Sequence, residues 1–103
     1  MTAYVVSRVA LKPGEALETY RRLAAASIER HGGSYLVRGG EQEVLEGDWA
    51  AGTVIVQFPS MDAARAWYAS DDYAAALKFR DQALSRDLIL VAGTEAPSEA
   101  SSR

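Results

Sequence analysis

Arg38 is the side chain best placed to do chemistry. It stands in the stretch HGGSYLVRGGEQEVLEGDW, residues 31–49, on a short apolar run and directly before the pair Gly39-Gly40. A guanidinium on a buried strand needs an anionic partner, because a charge taken out of water unpaired is costly. Two glycines beside it leave room for one. Its planar fork suits a carboxylate, so Arg38 is a candidate anchor for an acidic ligand. An internal ion pair with Glu43, Glu46 or an acid from a partner chain satisfies the same charge, and is the more economical reading. Arg8 shares the parity of Arg38 on its own strand, but stands near a strand end where water can serve it. Glu46 is a candidate acid or base beside Arg38. With Glu41, Glu43 and Asp48 it also reads as a solvated acidic arm or a charge-protected strand edge.

The other chemically capable residues are few. His31 is the only histidine, and its place at a helix end, before Gly32, favours a capping role over a general base. Trp67 and Tyr68 are adjacent on a helix, so they point about 100° apart and only one can face fully inward. The other is free to wall a cleft and orient a ligand through its indole N–H or phenol. Gln57 lies on a strand face with the two arginines. Tyr73 and Arg80 read as a surface or interface pair, and Trp49 as a loop aromatic that closes a pocket or packs on a neighbouring chain. There is no Cys, which removes disulfides, thiolate metal sites and a cysteine nucleophile. No metal site or cofactor is expected, and no phosphate loop, nucleophile elbow or dinucleotide fingerprint is present.

Composition narrows the function classes further. The chain has 103 residues, 49 % hydrophobic and 24 % charged, with net charge -3. That is enough for one domain with one core. The Lys and Arg residues are scattered and outnumbered, which argues against nucleic acid as a partner. The apolar run at the start is short and broken by Arg8, so neither a signal peptide nor a membrane span is expected, and the expected location is the cytoplasm.

Hydrophobic periodicity places these residues on elements. Residues 3–9 alternate as a strand, and 15–31 carry Leu17, Tyr20, Ala24, Ile28 and His31 at helical spacing. Gly32 is the expected helix stop. A second strand is predicted over 34–39, with a bulge at Gly39-Gly40 and a twisted extension over 41–46. A third covers 53–58. Ser60 and Ser70 are N-cap residues for helices over 61–69 and 71–84. A fourth strand covers 88–92. Residues 1–93 read as one domain, and 94–103 as a disordered tail without large apolar residues. The order β-α-β-β-α(α)-β is the ferredoxin-like split βαβ pattern, an α+β fold with a four-stranded antiparallel sheet and helices on one face.

Sorting the strands by parity gives two unequal faces. Val5, Val9, Tyr35, Val37, Val54, Val56 and Phe58 form one apolar set that belongs under the helices. Tyr4, Val6, Arg8, Leu36, Arg38, Thr53, Ile55 and Gln57 form the other. That second set is too apolar for water yet carries two arginines. A second sheet packed on it around a polar pocket would suit both features, and a second copy of the chain supplies one most simply. A homodimer is therefore expected.

The same residues resemble the domain-of-unknown-function 1330 family. The resemblance rests on HGGSYLVRGG, LEGDW, VIVQFPS and WYASDDY followed by Arg80, in order and at family spacing, over most of the chain. Gln57 stands where the family commonly has Glu, and Asp71-Asp72 where Pro-Glu is common; the first departure removes a carboxylate. The resemblance implies a dimeric α+β barrel, in which two ferredoxin-like protomers pack sheet to sheet, and implies no particular activity. The function expected is binding of a small molecule, an anion among the options, in a pocket at the sheet face. A cofactor-independent isomerase or monooxygenase, and a dimeric module without a ligand, are the alternatives. The ligand-binding candidates are Arg38, Arg8, Glu46, Gln57, Trp67 and Tyr68.

Overall fold

The computed structural model describes residues 1–49 and 51–94. The elements are β1 (Ala3–Leu11), α1 (Glu15–Arg30), β2 (Ser34–Arg38), β3 (Gly52–Phe58), α2 (Met61–Tyr68), α3 (Asp71–Ala83) and β4 (Leu84–Ala92). The strands form one antiparallel sheet in the order β2-β3-β1-β4. This is the ferredoxin-like α+β fold expected from the element order, with the helices packed on one face of the sheet.

Local chemistry accounts for the helices. Leu17, Tyr20, Ala24 and Ile28 are the buried stripe of α1 that their spacing predicts. His31 caps the helix, its Nδ1 2.9 Å from the Ser27 carbonyl. Gly32 follows in the left-handed region that glycine adopts without strain, φ 80°. Ser60 and Ser70 cap α2 and α3 by accepting from the Ala63 and Tyr73 amides at 3.0 and 3.1 Å. The Ser70 hydroxyl also donates to the Trp67 carbonyl at 2.7 Å. One serine thus ends α2 and starts α3, and so fixes Trp67 relative to Tyr73.

The core lies between the helices and the inner sheet face. Phe58 and Tyr73 are fully buried and Trp67 is 2 % exposed. Trp67 packs against Tyr73 with ring centroids 4.2 Å apart and against Phe58 at 5.4 Å. Its indole N–H donates to Ser27 Oγ at 3.0 Å, so the buried polar end of the ring is satisfied. Gly33 is required by this packing. A Cβ there would lie 2.7 Å from both Ile28 and Phe58 side-chain atoms.

Several expectations need correction. The bulge in β2 is not at Gly39-Gly40. Tyr35 pairs with Val56 and Val37 with Ile55, so the extra residue is Leu36. One inserted residue reverses the parity of everything after it. Val37 therefore turns to the outer face with Ile55, and Arg38, opposite Val54, turns toward the helices. The strand extension over 41–46 does not form: those residues are exposed and outside any strand. Gly39, at φ 69°, donates to the Thr53 carbonyl at 2.9 Å as the last rung and then turns the chain away. Strand β4 begins at Leu84, not at 88, immediately after α3 ends at Ala83. Tyr73, expected at the surface or an interface, is buried in the core because Ser70 aims the first turn of α3 at it. Thr94 lies outside regular structure, and the rest of the expected tail, 95–103, lies outside the described residues.

Candidate functional site

A cleft of about 610 Å³ lies on the helix side of the sheet. Its floor is the inner face of β1 and β3, through Val5, Ser7, Val9, Val54 and Val56. One wall is α1, through Leu17, Tyr20, Arg21, Ala24 and Ile28. Tyr35, Arg38 and Gly39 from the end of β2 line it as well, as do Leu84, Arg86 and Leu88 from β4 and the edge of Trp67. A concave, mostly apolar surface with a few convergent polar groups is the form small-molecule sites take.

Two hydroxyls and a guanidinium meet at the wall of this cleft, Tyr20 and Arg86 lining it and Tyr73 buried behind them. Arg86 Nη1 donates to Tyr20 Oη at 2.7 Å, and Arg86 Nη2 donates to Tyr73 Oη. The two tyrosine oxygens are 2.7 Å apart, one donating to the other. The chain path explains the meeting. Tyr20 is on the buried stripe of α1, Tyr73 in the first turn of α3, and Arg86 on the inner parity of β4 with Leu84, Leu88 and Leu90. Burial, with the neighbouring Tyr73 oxygen adding to it, pushes the Tyr20 hydroxyl well above its ordinary pKa, so it remains a neutral donor and acceptor. Burial opposes the charge of Arg86, but the tyrosine oxygens outweigh it and the shift is upward.

The six sequence-derived candidates are not brought together. Arg38 lines the cleft, with its guanidinium 4.2 Å from the Tyr35 ring centroid. It is exposed and, among the described residues, makes no ion pair. It does not lie in a pocket on the helix-free face, because the Leu36 bulge turns it the other way. Trp67 contributes to the cleft; Tyr68, next to it, is 46 % exposed and lies in a separate depression with Lys12 and Arg80. Arg8 is on the outer face, ion-paired with Asp87 at 2.7 Å and 5.4 Å from the Trp49 ring. Gln57 pairs across the sheet with Tyr4 and Ser34, also on the outer face. Glu46 is exposed in the loop after Gly39 and makes no ion pair with Arg38. That loop is tied at its base instead, by Gln42 bonded to the Ala51 carbonyl and to the Thr53 hydroxyl, each at 2.8 Å.

Sequence reasoning missed Arg86, Tyr20 and Tyr73. A signal for Arg86 was present, since 84–90 reads L-S-R-D-L-I-L, with an arginine in series with three leucines at strand spacing. No turn residue separates it from the preceding helix, so the strand start went unread. Among the described residues no group of three or more His, Asp or Glu side chains is placed to hold a metal ion. None of the described helices is long and apolar enough to cross a membrane.

Comparison with known proteins agrees with this architecture. The family model described as Domain of unknown function (DUF1330) matches residues 2–94, and the chain belongs to that family. Among solved structures it is similar to a protein of unknown function from Rhodopseudomonas palustris, at 22 % identity and TM-score 0.71, over 91 % of this chain and 83 % of that one. It is also similar to SnoaB, a cofactor-independent oxygenase from Streptomyces nogalater, at 17 % identity and TM-score 0.63, over 92 % and 95 % of the two chains. A third is a dabb family protein with a ferredoxin-like fold from Mesorhizobium loti, at 13 % identity and TM-score 0.58, over 91 % and 98 %. These likenesses concern the fold. No curated protein matches the sequence significantly.

Proposed function

We propose that this DUF1330 protein binds a small, mainly apolar organic molecule in the cleft between α1 and the sheet, with polar contacts from Arg86, Tyr20 and Arg38. The observation that carries the reading is the cleft itself, about 610 Å³ in volume, within the range of small-molecule sites. An open cleft around an arginine without an ion pair favours a ligand over a filled structural module.

An enzyme of acid–base type has less support. The described lining holds no carboxylate and no imidazole, so an isomerase would lack an ordinary base at neutral pH. A cofactor-independent oxygenase rests on likeness of fold to SnoaB alone.

The assembly proposed with it is a homodimer through the helix-free face. Val37, Ile55, Val6 and Ile89 stand in one row across all four strands of that face, and Val91 and Leu36 flank it. Ile89 is 58 % exposed and Leu36 53 %. An apolar row of this length is unusual on a face left to water.

Native mass spectrometry of freshly purified protein tests both parts. The expected result is a dimer that retains a small organic molecule. A monomer at micromolar concentration would end the dimer proposal. A ligand-free spectrum, with no shift on adding aromatic probe compounds, would end the binding proposal.

A further inference from the structure

We infer that the ligand is an organic acid, and that its oxyanion is received by Arg86 and Tyr20, with Tyr73 buried behind them, while its apolar body lies along the sheet. The inference rests on the cleft reading above and adds the charge and orientation of the ligand. Its first support is a charge imbalance. The chain carries a net charge of -3, yet the described lining of the cleft holds three arginines, Arg21, Arg38 and Arg86, and no Asp or Glu. A concave surface that holds three arginines and no carboxylate among the described residues, in a chain rich in acid, is a locally cationic site.

The second support is a count of protons. A guanidinium offers five N–H donors, and each tyrosine one O–H. The cluster has only two acceptor atoms of its own, the tyrosine oxygens. Its three internal hydrogen bonds use one N–H to each oxygen and one hydroxyl between them. The other hydroxyl proton and the remaining guanidinium protons have no protein acceptor among the described residues. Arg86 also makes no ion pair there, although Arg8, Arg30, Arg65 and Arg80 each do. A half-buried cation with surplus donors beside an apolar floor matches an oxyanion attached to an apolar skeleton. A carboxylate and an ionised phenol or enol share this chemistry. A neutral ligand would leave the charge uncompensated.

The test uses the intact protein and four probes in calorimetric titration at neutral pH. They are 1-naphthoate, the phenolate 2,4-dinitro-1-naphtholate, and two uncharged comparators, 1-naphthamide and 2,4-dinitro-1-methoxynaphthalene. The expected result is that one or both anions bind at least tenfold more tightly than their uncharged comparators, and the tighter anion identifies the kind of oxyanion. Arg86→Gln should remove most of that preference. Arg38→Gln should reduce it less. Comparison within the wild-type protein stands even if an Arg86 variant folds poorly. Equal binding of anions and comparators would overturn the anionic assignment and leave the cleft reading in place. Binding by none of the four would overturn both.

Discussion

The hydroxyl oxygens of Tyr20 and Tyr73 are 2.7 Å apart, although the two residues lie 53 positions apart in the chain. Two polar atoms from different helices sit at this distance inside a core only if both are satisfied, and Arg86 supplies the second bond to each. The cluster thus ties α1, α3 and β4 together at the wall of the cleft. Tyr73→Phe removes an acceptor of Arg86 and the hydrogen-bond partner of the Tyr20 hydroxyl. It is expected to cost about 1–3 kcal/mol, as for a buried group left without its partner. The double variant with Tyr20→Phe should fall short of the sum of the singles, because the two share one network. Chemical denaturation of the four proteins checks this, and strict additivity would show that the hydroxyls act independently.

Tyr20 also sets a response to alkali. Burial raises the Tyr20 pKa in the folded protein above the value of ~10 that an unfolded tyrosine has. Burial also raises that of Tyr35, with Arg38 opposing it. A raised pKa means the fold favours the protonated form. The associated stability is therefore fully present below pH ~10 and is lost as pH rises from there through the folded-state value. Absorbance at the tyrosinate band should show part of the tyrosine complement titrating late, together with unfolding. Titration of all tyrosines near their ordinary value, in protein still folded, would contradict it.

The outer face yields a separable prediction. Ile89 is 58 % exposed in the single chain and opposite Val6 in the central row. Ile89→Glu should leave the fold intact and abolish the proposed dimer, whose interface would bury on the order of 2,000 Å² in total. Light scattering with circular dichroism separates the two effects. An unchanged mass for the variant would remove this face from the assembly.

Gly33 tests the core beneath the site. A Cβ there would lie 2.7 Å from Ile28 Cγ2 and from the Phe58 ring. Gly33→Ala is expected to destabilise by about 1–3 kcal/mol through overpacking, read from the denaturation midpoint. A neutral substitution would mean that the β2 entry is looser than described.

Much of this architecture is legible in the sequence, and the failures have physical causes. Alternation in β1 and β3 identified their inner faces, because both are central strands with one side on the core. Spacing on α1 named Leu17, Tyr20, Ala24 and Ile28 as buried, and the serines named the starts of α2 and α3. The direction of Arg38 was lost to a single inserted residue, Leu36, which parity counting cannot see. Arg86 was lost because β4 follows α3 with no glycine, proline or asparagine at the junction. Tyr73 was misread because α3 is short of apolar periodicity on its own and is held by its cap and by the aromatic stack with Trp67. The site is therefore built from residues whose placement depends on tertiary pairing, while the scaffold around it follows local rules.

The two tryptophans report on the two faces of the sheet, and so on the central claim. Trp67 borders the helix-side cleft, whereas Trp49 stacks near Arg8 on the outer side. Nitrogen-15 correlation spectra resolve one indole N–H signal from each. On titration with 1-naphthoate the Trp67 signal should move and saturate while the Trp49 signal stays in place. Movement of Trp49 with Trp67 unchanged would put the ligand on the outer face and contradict the account.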